Sequence, residues 1–210
     1  MRPLILIGGG GHCKSVIDVA ECAGYTIKGI LDVPENVGKT ILNYQIIGTD
    51  DDIKIYIANY DFLITVGFIK DPILRLSLHE KITSLGGRLA TLIAPSAHVS
   101  QYAKLGIGTV VMHKAMINAS AEIGKGCIIN TYSNVEHDVT IEDYCHISTG
   151  TMINGNCRVG EKTFIGSQSV LVNGVSIVSG CIIGAGSVVR KNIIKKGIYS
   201  GNPALLKIQL

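Results

Sequence analysis

The spacing of apolar positions divides the 210-residue chain in two. Over residues 1–90, short apolar runs alternate with segments of helical period. Leu4–Gly8 reads as a buried strand, Cys13–Ala23 as a helix stopped at Gly24, and Ile27–Asp32 as a second strand. Phe62–Gly67 predicts a third strand. Asp71-Pro72 opens a helix that runs through Leu85 to the Gly86-Gly87 stop, and Arg88–Ile93 predicts a closing strand. Such alternation builds a small parallel sheet with helices on its faces.

From Pro95 the rule changes. Stepping by six from Val99 meets Leu105, Val111, Ile117, Ile123, Ile129, Val135, Ile141, Ile147, Ile153, Val159, Ile165, Leu171, Ile177, Ile183 and Val189. Every one is Val, Leu or Ile. Two residues before each stands a compact side chain, from Ala97, Ala103 and Thr109 to Cys145 and Ser187. A period of six fits neither a helix nor an alternating strand; it is the hexapeptide pattern of a parallel β-helix. Residues two apart share a face, so the compact and the aliphatic residue both point inward. Three such sides close a coil of about 18 residues, and coils stacked about 4.8 Å apart make a prism about 24 Å tall. Gly and Asn recur just after the aliphatic position (Gly106, Asn118, Gly124, Asn130, Asn154, Gly160, Gly166, Gly184), where the pattern predicts positive φ.

Composition narrows the reading. The net charge is +3 without a long basic run, so no nucleic-acid footprint is expected. No segment nears the roughly 18 apolar residues of a membrane helix, and the apolar run Leu4–Ile7 is too short for a signal peptide. The cytoplasm is the expected compartment. Six cysteines show no CxxC or zinc-like spacing, and no histidine pair sits at metal-binding spacing, so no metal is expected. Cys127, Cys145, Cys157 and Cys181 fall on the compact inward position and read as small buried hydrophobes. Cys13 and Cys22 have no basic neighbour in sequence.

Three features carry candidate chemistry. Gly8-Gly9-Gly10-Gly11-His12 follows a strand and opens a helix, where backbone N–H groups can meet a phosphate. It is not the dinucleotide fingerprint, because Cys13 stands where a third glycine is needed. Asp32 closes the second strand, where a carboxylate reads a ribose or base edge. Glu136-His137-Asp138 begins just after the inward Val135, on a corner of the prism. There the chain bends, so Asp138 can hydrogen-bond the imidazole and raise its basicity. His146, one before the inward Ile147, faces outward on a side. His113 also follows an inward residue by two, but with Lys114 beside it, and reads as structural.

Together these residues resemble the left-handed β-helix acyltransferases of the sialic acid O-acetyltransferase type, and within them the N-acetyltransferases of UDP-linked 4-amino sugars. The resemblance spans the chain, from Gly11-His12 through Asp32, Asn130-Thr131, Glu136-His137-Asp138 and His146 to Gly201-Asn202-Pro203-Ala204. It implies a Rossmann-like nucleotide-sugar-binding domain over 1–93, a left-handed β-helix over 94–192 and a C-terminal extension over 193–210. His137 would be the general base with Asp138 behind it. His146, Gly155, Ser167 and Ala185 would hold acetyl-CoA; Gly10, Gly11, His12, Asp32, Gly67 and Asn130 would hold the sugar nucleotide. The resemblance also implies a homotrimer with acetyl-CoA between neighbouring prisms. One departure stands out: Gly67-Phe68-Ile69 replaces the usual Gly-Asn-Asn.

The expected activity is therefore acetyl-CoA-dependent N-acetylation of a nucleotide-linked amino-deoxy sugar by direct transfer, since no cysteine is placed as a nucleophile. O-acetylation of sialic acid or a related nonulosonic acid shares all these motifs. A silent scaffold that binds the nucleotide sugar is the non-enzyme alternative. A sugar nucleotidyltransferase is disfavoured because Gly8–Lys14 lacks its loop signature.

Overall fold

The computed structural model describes residues 2–210. The N-terminal part contains β1 (Leu4–Ile7), α1 (Gly11–Cys22), β2 (Ile27–Leu31), β3 (Thr40–Ile41), β4 (Tyr44–Gly48), a short α2 (Ile53–Tyr56), β5 (Asp61–Ile64), α3 (Ile73–Ser84) and β6 (Arg88–Leu89). The sheet order is β3-β4-β2-β1-β5-β6, parallel throughout except for the β3–β4 hairpin. Ile7 is in register with Leu31 and with Ile64. The segments that follow these three strands therefore leave the sheet side by side at its carboxyl edge, where open α/β sheets bind ligands.

The β3–β4 hairpin was not legible. Its strands lack clean alternation, and its turn places Leu42, a poor turn former, at φ 49°. The expected strand Arg88–Ile93 divides in two. Arg88–Leu89 pairs with β5, whereas Leu92–Ile93 pairs with Val110–Val111 and is already the first rung of the β-helix.

The left-handed β-helix presents three faces of two-residue strands. The first runs from Leu92–Ile93 through Val110–Val111, Ile128–Ile129, His146–Ile147 and Phe164–Ile165 to Ile182–Ile183. The second runs from His98–Val99 to Val188–Val189, and the third from Lys104–Leu105 to Ser176–Ile177. Register partners are 18 residues apart, as Ile129 and Ile147 are. From Val111 upward every aliphatic position of the hexapeptide is buried; Val99 and Leu105 are half-buried at the open lower end. Cys127, Cys145, Cys157 and Cys181 are buried with them, and burial pushes the Cys145 thiol up. Residues Gly197–Ser200 and Leu205–Gln209 add a parallel and then an antiparallel strand to the first face.

The expected site of positive φ is corrected. Left-handed residues fall three after the aliphatic position, at Gly108, Lys114, Ser120, Gly126, Tyr132, Asp138, Tyr144 and so on to Gly186. The Gly just after the aliphatic residue has another cause: the next coil passes too close for a side chain. A Cβ on Gly160 would lie 2.5 Å from Ser179 N, and one on Gly166 2.5 Å from Ala185 N.

One side of the sheet is covered by α1 and the first face. Leu4, Leu6, Val16, Ile17, Ala20, Leu92, Val110 and Met112 form a single buried cluster. The other side packs Ile5, Ile7, Phe62 and Ile64 against Leu78 and Ile82 of α3. Arg75 of α3 joins the two parts. Fully buried, it donates to the carbonyls of Ile64 (2.7 Å), Val66 (2.9 Å), Gly126 (2.8 Å) and Gly108 (3.4 Å).

Candidate active site

At the carboxyl edge of the sheet, Gly8–His12, Asp32 and Thr65–Ile69 line a cavity of about 630 Å³ whose far wall is His146. The glycines are there for close approach. Gly8 has φ 102°, and a Cβ on it would meet Val66 Cγ2 at 2.5 Å; one on Gly9 would meet Asp32 Oδ2 at 2.7 Å. Asp32 is steadied by Asn36, whose Nδ2 donates at 2.9 Å. Helix α1 starts at Gly11 with Gly10 as N-cap, no side-chain cap and no acid in its first turn. Its positive end is thus left for a ligand. Gly67 lies against His12, a Cβ there standing 3.7 Å from His12 Cβ.

His12 does not offer a free donor. Its Nε2 is shut from solvent without a partner, and burial, with Arg75 and His146 nearby, lowers its pKa to about 3. It is a neutral wall residue. Arg75 itself is pushed down to about 10 by burial and stays charged at neutral pH.

His146 faces outward from the prism as its register requires, yet it is 9% exposed, because Phe68 closes over it. Its ring meets Phe68 and Phe164 edge-on, at 5.6 and 5.1 Å between centroids. The network assigns its tautomer. Asn130 Oδ1 accepts from Thr131 N at 2.8 Å, so Asn130 Nδ2 is the group 3.3 Å from His146 Nε2 and donates to it. Nδ1–H then donates to the Phe68 carbonyl at 2.7 Å. Burial lowers the pKa of His146 to about 4, so it is neutral. Phe68, the point where Gly67-Phe68-Ile69 departs from the usual pattern, is thus what orients His146.

His137 and Asp138 stand on the corner between the second and third faces. Asp138 is the left-handed residue of that corner, with φ 60°. This bend brings its Oδ2 to 2.8 Å from His137 Nδ1, a contact that adjacent residues on a flat strand cannot make. The imidazole lies over Gly155 of the next coil, where a Cβ would stand 2.7 Å from Cε1 and 2.8 Å from Nε2. Both side chains remain open to solvent, at 61% and 58% exposure. Glu136 is held apart from them by Asn118 Nδ2 (3.0 Å) and Asn134 Nδ2 (2.9 Å).

The candidate residues thus fall into two groups on one chain. His137, Asp138 and Gly155 share one corner, which in a triangular prism lies opposite the first face. Asn130, His146, Ser167 and Ala185 lie on the first face or at its corner with the second, where Ser148 and Ser167 hydroxyls meet at 2.9 Å.

Residues 3–82 match the family model of the PglD N-terminal domain, and residues 120–155 and 156–191 match that of the bacterial transferase hexapeptide. The fold is similar to a point mutant of perosamine N-acetyltransferase from Caulobacter crescentus, solved with CoA and GDP-perosamine. Identity is 32%, the TM-score 0.92, and the match covers 99% of this chain and 97% of that one. The chain belongs to the hexapeptide-repeat sugar N-acetyltransferase family. The acetyltransferase domain of PglB from Neisseria gonorrhoeae FA1090, solved with acetyl coenzyme A, is also 32% identical, with a TM-score of 0.91 over 98% of this chain and 99% of that one. WeeI from Acinetobacter baumannii AYE shares the fold at 22% identity and a TM-score of 0.88. An uncharacterized protein of Acanthamoeba polyphaga mimivirus is 34% identical over 139 residues; the chain covers 23% of that protein's length.

Within this family frame, sequence reasoning flagged Phe68 only as a departure and missed its role, and it missed Phe164 and Arg75 altogether. A signal for Phe164 existed. The outward residues of the first face, taken every 18, are Leu92, Val110, Ile128, His146, Phe164 and Ile182; those of the third are Lys104, Glu122, Thr140, Arg158 and Ser176. The apolar set marks the face that a domain covers, and His146 is its one polar member. Among the described residues, no helix is long and apolar enough to cross a membrane.

Proposed function

We propose that the protein transfers an acetyl group from acetyl-CoA to the amine of a nucleotide-linked amino-deoxy sugar, with His137 as general base. The observation that carries this is the 2.8 Å contact between His137 Nδ1 and Asp138. With Nδ1–H donated to the carboxylate, Nε2 is left as the acceptor on an exposed corner. The amine nitrogen attacks the thioester carbonyl while Nε2 takes its proton. The C–S bond then breaks and the thiolate of CoA leaves with a proton. A backbone N–H of the β-helix would serve the oxyanion. No protein nucleophile is needed, as the four β-helix cysteines are buried.

The sugar nucleotide would occupy the cavity at the sheet edge, its diphosphate on the amides of Gly10, Gly11 and His12 and its nucleoside near Asp32, with Gly67 lining the sugar end and Asn130 behind it against His146. Acetyl-CoA would run along His146, Ser167 and Ala185 and past Gly155.

The two groups of site residues support a homotrimer. The outward residues of the second face are His98, Met116 (42% exposed), Asn134, Met152 (39% exposed), Val170 and Val188, uncharged or apolar above the first rung and beside the charged third face. If this face turns toward a threefold axis, its two corners each meet a neighbour. The corner carrying His137 and Gly155 in one protomer then faces the corner carrying Asn130, Ser167 and Ala185 in the next. The site is completed between subunits.

The test is thiol release from acetyl-CoA with UDP-, GDP- and CMP-linked amino sugars against free sialic acid. Turnover should need an amino sugar nucleotide, and His137→Ala should lower kcat by about 10²–10⁴-fold with the fold intact. Turnover only with sialic acid would establish the O-acetyltransferase reading. Binding of a sugar nucleotide without turnover would establish the silent scaffold.

A further inference from the structure

One cluster of ligating side chains lies outside the proposed reaction site. Asp18 and Cys22 are four residues apart on α1 and so share one side of the helix. His113 approaches them from the corner between the first and second faces of the β-helix. One ligand atom from each of the three lies within 4.8 Å of the others. His113 Nε2 is 3.0 Å from Asp18 Oδ2, and His113 Nδ1 is 2.8 Å from Ser96 Oγ. Cys22 is the one exposed cysteine of the six. The set was invisible to sequence spacing, since Cys22 and His113 come from different parts of the fold.

We infer that Asp18, Cys22 and His113 form a divalent-metal site of zinc type that pins α1 to the β-helix. Thiolate, imidazole and carboxylate are the three donor types zinc takes, at about 2.3, 2.0 and 2.1 Å. Tetrahedral coordination at those lengths sets donor atoms about 3.3–3.7 Å apart, which small side-chain movements reach from the present positions. Ser96 supplies the outer partner that a ligating histidine needs: with Nε2 on the metal, Nδ1–H donates to Ser96 Oγ. That hydroxyl also accepts from Lys114 N at 3.3 Å, which fixes its place. The fourth position opens to solvent and takes water. Binding releases the thiol proton of Cys22, and none of the three ligands is among the residues proposed to act at the reaction site or to hold either substrate. Its effect is mechanical. The N-terminal end of α1 carries the glycine turn, and its C-terminal end carries Cys22, so a metal across Cys22 and His113 holds that turn against the wall formed by His146.

Equimolar Co(II) added to the whole protein should give a thiolate charge-transfer band in the near ultraviolet, with Zn(II) displacing it. The other five cysteines are buried, so Cys22→Ser should abolish the band while circular dichroism stays unchanged. Ser96→Ala should weaken Co(II) binding by about 10–100-fold through loss of the outer partner. Zn(II) should raise the Tm of wild type and not of His113→Gln. Absence of the band in wild type overturns the inference, and so does a band that survives Cys22→Ser.

Discussion

The contact between His137 and Gly155 gives the sharpest test of the proposed base. In Gly155→Ala the new Cβ would stand 2.7 Å from Cε1 and 2.8 Å from Nε2, and the three nearest atoms all belong to the imidazole. Ordinary contact needs about 3.5–4.0 Å, so the ring must move off by about 1 Å. Gly155 does not have positive φ, so alanine adds no backbone strain. The ring is largely in solvent, so its displacement should change stability by less than about 1 kcal/mol. Catalysis is less tolerant, because a base misplaced by about 1 Å costs about 10²-fold, or about 2.7 kcal/mol of barrier. Steady-state thiol release should therefore show kcat down about a hundredfold, with Tm and sugar-nucleotide affinity near wild type. The same kcat in Gly155→Ala and wild type, alongside a dead His137→Ala, would refute the placement of Nε2 at the reacting amine.

Asp138→Asn keeps the size and the left-handed backbone, which Asn tolerates, yet removes the carboxylate that holds Nδ1–H; thiol release should slow by about 10–100-fold without loss of fold. Arg75→Met strands the carbonyls of Ile64, Val66 and Gly126 and should cost about 3–5 kcal/mol in urea denaturation; a smaller change than about 1 kcal/mol would deny it the role of strut. Acid should destabilise the fold below about pH 6.5. An unfolded histidine takes its proton near 6.5, whereas folded His146 resists until about 4, so each step down in that window favours the unfolded chain. The gap corresponds to about 3 kcal/mol, with His12 adding in the same direction; Tm measured from pH 7 to 4 should fall less steeply in His146→Gln.

The prism was legible because its sequence must satisfy one rule at every turn: an aliphatic side chain at each sixth position has nowhere to go but inside. Helices α1 and α3 were legible from their periods and glycine stops, with ends shifted by one or two residues. The hairpin β3–β4 was not, because edge strands that short are set by their neighbours rather than by their own pattern. The placement of positive φ was misread since glycine serves two needs here, and the Gly just after the aliphatic position answers close coil approach rather than handedness. Exposed His137 and its bond to Asp138 followed from corner geometry. The burial of His146, the neutrality of His12 and the meeting of Asp18, Cys22 and His113 depend on how two domains dock, which no local period records.

The rule of six has a further consequence for how this chain can change. Its interior is the same on all three faces, so the core does not distinguish one face from another. Losing six residues from a coil would leave every inward position filled by a suitable side chain while turning all later coils by a third of a revolution. Only the outer residues would then be wrong: Phe164 and Ile182 would leave the shelter of the N-terminal domain, and Arg158 would be turned onto a different side. Which side is which is written entirely on the outside of the prism, in the same residues that bind, dock and react.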